Sequence, residues 1–181
     1  MYSQYTTIGQ IFTNLIMMNR RSLIALIRSK SINDLTSAYT QSDLTQFYLS
    51  IFERPYDSAS IGITDEGYWC VVHRNTIYSL KESKDADVFL LLLYTPLQEI
   101  VSLLKSGLQS YGLPIEILLT FPFDEILIHA FSSKWQLKAI TWLDEGYPMN
   151  DEMRNLLWGG NKQAKTWLRY QESRLFFLQT L

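Results

Sequence analysis

Apolar residues near the start of the chain recur at three- and four-residue spacing. Ile8, Ile11, Phe12, Leu15, Ile16, Leu23, Ile24, Leu26 and Ile27 predict an amphipathic helix over residues 7–29. Thr6 or Thr7 suits its N-cap, and Arg28 and Lys30 suit the negative pole of its dipole. A short second helix is expected over 34–39. A third is expected over 41–52, capped by Ser42, with Leu44, Phe47, Tyr48 and Ile51 on one face and Pro55 beyond its end.

The period then falls to two. Residues 60–64, 68–74 and 76–80 read as strands, with Asp65-Glu66-Gly67 as one turn and Asn75 at another. Residues 88–94 form a continuous apolar run, consistent with a buried strand or with a helix beginning near Asp85. The next segment favours the strand. Thr95-Pro96 reads as an N-cap with proline at the first helical position, and Leu97, Ile100, Val101, Leu103, Leu104 and Leu108 form a helical face. Gly112 and Pro114 stop that helix, and 115–120 reads as a further strand, giving a right-handed strand–helix–strand crossover.

The last third is helical. Pro122-Phe123-Asp124-Glu125 opens one helix, and another runs from Ser133 to about Glu145, stopped by Gly146 and Pro148. Asn150 and Asn161 cap two more, separated by Gly159-Gly160. Residues 137–143 and 163–168 echo each other around Trp142 and Trp167, a hint of stacked helical hairpins. The expected fold is α+β and helix-rich, with N-terminal helices, a small, mainly antiparallel central sheet and packed C-terminal helices. One domain over 1–181 is expected, with a finer division into an α/β part (1–121) and a helical part (122–181).

Composition supports a folded chain, because 47% of residues are hydrophobic and only 19% charged. Charge is segregated along it. Residues 1–32 carry Arg20, Arg21, Arg28 and Lys30 with no acid. Residues 153–181 carry Arg154, Lys162, Lys165, Arg169 and Arg174 against Glu172 alone. The middle is strongly acidic, and the net charge is -2. A nucleic-acid partner is disfavoured by that balance. The expected arrangement lays the two basic helices on an acidic body or on each other. No apolar run approaches the length of a membrane span, and no basic leader precedes the first helix, so a soluble cytoplasmic protein is expected.

Candidate chemistry is sparse. Cys70, the single cysteine, lies three residues from His73, but strand alternation puts Tyr68, Cys70 and Val72 on one face and Trp69, Val71 and His73 on the other. Glu125 and His129 are spaced to touch on a helix, the weak candidates for a hydrolytic pair. With only two histidines and one cysteine, no metal site is expected, and no motif suggests a cofactor. The acidic doublets at 65–66, 124–125, 144–145 and 151–152 fall at turns or helix ends, where local electrostatics explains them. Gly159-Gly160-Asn161-Lys162 lacks the preceding strand and the spacing of a phosphate-binding loop.

What stands out is aromatic content, 14% of the chain, with eleven Tyr and five Trp. Their polar tips favour boundaries over cores. Trp69, Tyr78, Trp158, Trp167 and Tyr170 are the candidate binding residues. The leading functional reading is a non-catalytic intracellular protein that binds another protein, as adaptor, regulator or inhibitor. A small-molecule sensor with Tyr68, Trp69 and Tyr78 as a pocket wall is the alternative, and a hydrolase using Glu125 and His129 the third.

Overall fold

A computed structural model of the chain describes residues 20–30, 34–40 and 44–179. The first helix, α1, spans Arg20–Arg28 and buries Leu23 and Ile27 in the main core. The rest of the predicted 7–29 helix lies outside the described residues. So do the side chains of Leu175, Phe176 and Leu178.

Five strands follow: β1 (Thr36–Thr40), β2 (Thr45–Glu53), β3 (Ser60–Thr64), β4 (Trp69–His73) and β5 (Thr76–Ser79). They form a closed barrel, antiparallel from β1 to β5 and sealed by a parallel β1–β5 seam at Tyr39/Thr76 and Thr40/Ile77. The three predicted strands are β3, β4 and β5. The turn at Arg74-Asn75 has positive φ at both residues, the geometry that matches the twist of a hairpin.

Two expected helices are strands instead. Residues 34–39 fall largely in β1 and 41–52 largely in β2. The cause is the closed barrel, which buries both faces of β2 and so erases its two-residue alternation. Tyr48 faces the lumen with Ala38, Cys70, Val72 and Ile77. Leu49 and Ile51 join the main core outside, and a register shift between Ser50 and Phe52 disturbs the pattern further. Chance spacing of Leu44, Phe47, Tyr48 and Ile51 then imitates a helix. Gly62 sits at a close approach of β3 to β2. A Cβ there would lie 2.5 Å from the Leu49 carbonyl oxygen and 2.9 Å from the Tyr48 ring.

The expected strand–helix–strand crossover is likewise absent. Its two strands are 3-10 helices, at Ser83–Tyr94 and Ile115–Thr120. In the first, burial repeats every three residues, with Ala86, Phe89 and Leu92 enclosed. That period matches neither a strand nor an α-helix. Between the two lies α2 (Leu97–Ser110), which begins after Pro96. Thr95 does not cap it, for its hydroxyl is buried without a partner. The first amide of α2 is instead taken by the Glu145 carboxylate, 2.6 Å away.

Four helices complete the described chain: α3 (Phe123–Phe131), α4 (Gln136–Asp144), α5 (Asp151–Gly159) and α6 (Lys162–Gln179). Asn150 caps α5 through the Met153 amide, and Asn161 accepts from the Ala164 amide at the start of α6, as the sequence predicts. One continuous apolar cluster runs from Leu23 to Leu168 and joins the outer face of the barrel to the helices. The fold is thus α+β and helix-rich. No single described helix is long and apolar enough to cross a membrane. The one pair among the described helices that passes on length and composition bends by 107° between Tyr94 and Leu97 and contributes Phe89, Leu92, Ile100 and Leu104 to the core.

Packing between barrel and helices is close at Gly107, where α2 lies on β2. A Cβ there would stand 2.0 Å from the Ile51 carbonyl oxygen. The obstacle is backbone, so relief requires moving the helix. Gly107→Ala is expected to lower stability by about 3 kcal/mol or more. Gly159→Ala, with nothing within 4 Å of the new methyl, should change it by less than about 1 kcal/mol. Urea denaturation of the two variants checks the contrast, and equal midpoints would refute the close approach.

Candidate functional site

The loop between β2 and β3 is held by a buried arginine that the sequence does not advertise. Arg54 donates from Nε to Asp57 Oδ1 (2.9 Å) and from Nη2 to Oδ2 (2.5 Å). Its Nη1 donates to the Val88 carbonyl at 2.8 Å, in the first 3-10 helix. The fork geometry of guanidinium allows both contacts at once. Asp57 also accepts the Ala59 amide at 3.2 Å. The loop is therefore fastened to the helix, and it carries Tyr56 outward.

Tyr56 is 65% exposed and donates its hydroxyl to the Tyr94 carbonyl at 2.8 Å. The two rings meet edge to face with centroids 6.2 Å apart, and Tyr94 meets Trp135 in the same manner at 5.5 Å. Lys138 of α4 places its ammonium 4.6 Å from the centre of the Tyr94 ring. Leu91, one 3-10 turn before Tyr94, is also exposed. Three aromatic rings and a leucine thus form a surface cluster beside the exposed Lys134 and Lys138.

At the other end of the same 3-10 helix is a groove of about 460 Å³ at the mouth of the barrel. The barrel lines it with Gln46, Ile77, Tyr78 and Ser79, and the 3-10 helix with Asp85 and Val88. Its charges are matched from within. Lys81 pairs with Glu66 at 3.3 Å and Lys84 with Glu82 at 2.8 Å. Asp85 accepts the Lys81 and Glu82 amides, and Asp87 pairs with His129.

The sequence-derived candidates are dispersed. Trp69 is buried, donates to Thr120 Oγ1 at 2.9 Å and packs on Phe121, so it braces β4 against the second 3-10 helix. Tyr78 lines the groove, whereas Tyr68 is not among its lining residues. Trp158 is exposed under the Arg169 guanidinium, and Tyr170 is exposed on α6. Trp167 is half-buried and donates to Asp144 Oδ1 at 2.9 Å. His129 meets Asp87 across elements, and among the described residues no bond joins it to Glu125. Among those residues no three metal-ligating side chains converge.

The acidic doublets serve packing more specifically than helix-end solvation suggests. Asp124 accepts the Tyr147 hydroxyl at 2.6 Å, and burial beside that carboxylate pushes the phenol well above its ordinary range. Asp144 joins α4 to Trp167 and Gln171 of α6, while Glu145 caps α2. Ion pairing between the basic ends and the acidic middle does not appear among the described side chains. Arg154 pairs with Glu172 inside its own basic stretch, and Lys30 donates to the Tyr111 carbonyl. Apolar burial, at Leu23 and Ile27 for α1 and at Ala164 and Leu168 for α6, seats these helices.

Cys70 is fully buried in the lumen with Val72 and Ile77 beside it. Desolvation pushes its thiol far above the ordinary range, which leaves no thiolate for nucleophilic chemistry at neutral pH. Iodoacetamide should alkylate the native protein on the order of a thousandfold more slowly than the urea-unfolded chain, since only global opening exposes the sulfur. Stoichiometric labelling within minutes under native conditions would contradict this placement.

No protein-family model, no curated protein and no solved structure matches this chain.

Proposed function

We propose that the chain is a non-catalytic intracellular protein-binding module of the adaptor or regulator type, with the Tyr56–Tyr94–Trp135 cluster as its contact surface. The cluster carries the reading. Rigid aromatic rings with polar tips, next to lysines in solvent, have the composition of a binding hot spot, and their geometry is fixed before any partner arrives. Tyr56 is tied to the Tyr94 carbonyl and its loop is anchored by Arg54. Little ordering is left for binding to supply.

A hydrolase reading has less support. Among the described residues no bond joins Glu125 to His129, and the partner of His129, Asp87, is 68% exposed, which gives a desolvated acid–base pair no support. A sensor built on Tyr68, Trp69 and Tyr78 loses Trp69 to the core.

Complexes isolated from cells that express the chain test the proposal. Tyr56→Ala combined with Tyr94→Ala removes exposed rings and should leave the melting temperature within a few degrees. The amount of co-purified partner should fall at least tenfold, the size expected when hot-spot aromatics are truncated. A partner retained in full by the double variant, or a wild-type chain recovered alone from those cells, would count against it.

A further inference from the structure

The cluster and the groove share one ridge. The first 3-10 helix buries Ala86, Phe89 and Leu92 and carries Asp85 and Val88, both half-buried, with Leu91 and Tyr94, both exposed, on its outer side. Side chains three apart eclipse in such a helix, so these four form a straight row. Asp85 and Val88 line the groove, Leu91 is exposed between, and Tyr94 stands in the aromatic cluster. At about 2 Å of rise per residue the row is about 18 Å long. An extended chain covers that distance in about five or six residues.

The two ends ask for different chemistry. In the groove, Gln46 is only 9% exposed, yet among the described residues its side chain has a single partner, the Ser79 hydroxyl at 3.5 Å. A carboxamide offers two N–H donors and two carbonyl lone pairs, so most of its capacity has no protein partner and faces the groove's solvent. The neighbouring charges are matched from within the protein, which leaves a neutral donor–acceptor pair open to a ligand. A peptide group, with one C=O and one N–H, complements it. At the cluster the balance is reversed. Lys134 and Lys138 are exposed and have no carboxylate partner among the described residues, so an anion beside an apolar or aromatic side chain is favoured there.

We infer that the ridge is a track for one extended segment of a partner protein, read by Gln46 through its backbone at the groove and by Tyr56, Tyr94 and Trp135 through a large apolar residue flanked by Asp or Glu. The inference rests on the protein-binding proposal and adds to it the form and chemistry of the partner.

A phage-displayed library of random linear dodecapeptides, selected on the full chain, provides the probe. Enriched peptides should carry an aromatic or large aliphatic residue next to an acid. Fluorescence anisotropy of a synthesised winner should show at least tenfold weaker binding to each of Tyr94→Ala, Leu91→Asp and Gln46→Leu, and unchanged binding to Trp158→Ala. Leu91 is 39% exposed, and circular dichroism checks that Leu91→Asp keeps the fold. Should Gln46→Leu fail to fold by circular dichroism, Tyr78→Ala reads the groove in its place. Loss at Tyr94→Ala alone would confine the contact to the cluster and overturn the track while leaving the protein-binding proposal intact. Enrichment of basic peptides would overturn the acidic class. No enrichment above an unrelated control protein would overturn the track, and the co-purification result would then decide the broader proposal separately.

Discussion

Burial of one row of side chains, Ala86, Phe89 and Leu92, organises the molecule. The 3-10 helix that carries them lies against β5, α3 and α4, and it leads into α2, which lies on β2. Phe89 and Leu92 are enclosed, and such side chains contribute about 1.5–3 kcal/mol each by leaving water. A 3-10 helix of this length has poorer hydrogen-bond geometry than an α-helix and is rarely stable by itself. Tertiary burial is therefore what keeps it in that form. Because two rows are needed to meet the core, Leu90 and Leu93 are buried as well, and the third row faces outward, with Leu91 and Tyr94 exposed and Val88 half-buried against the core.

Polar groups fix what apolar burial alone leaves free to slide. Arg54 locks the β2–β3 loop to Val88, Trp142 donates to the Thr95 carbonyl at 2.9 Å, and Glu145 takes the first amide of α2. All three act on the 3-10 helix or on its junction with α2. The junction turns sharply, and its polar backbone is enclosed, so partners from distant parts of the chain satisfy it. Several acids of the middle stretch are engaged in such ties. That accounts for an acidic centre without any need for the basic ends to neutralise it.

The features legible in sequence were those set by local chemistry. Asn150 and Asn161 announce α5 and α6 because a capping carboxamide acts within three residues. The Asn75 turn announces the β4–β5 hairpin for a similar reason. Strand alternation correctly separated Cys70 from His73. What was illegible depended on distant packing. β2 has apolar residues on both faces because the barrel closes on one side and α2 covers the other. Residues 83–94 have a three-residue period that falls between the two usual templates, so a helix and a strand fit about equally badly. Thr95-Pro96 looks like a helix start, yet the cap comes from Glu145, 48 residues from Leu97. Of the candidate contact surface, an excess of Tyr and Trp was the only signal. Which of them reach solvent is set by tertiary burial, which takes Trp69 inward and leaves Tyr56 and Tyr94 out.

The parallel β1–β5 seam has a further consequence. A sheet with two edges invites another chain to hydrogen-bond along one of them, and the register of that addition is dictated by backbone. Closure blocks that option where β1 and β5 pair, at Tyr39/Thr76 and Thr40/Ile77. Association over that seam then proceeds through side chains, whose identity differs at every position. Along the seam the protein gives up promiscuous strand addition, and with it a common route to aggregation. Its contacts become as selective as the residues it leaves on its surface.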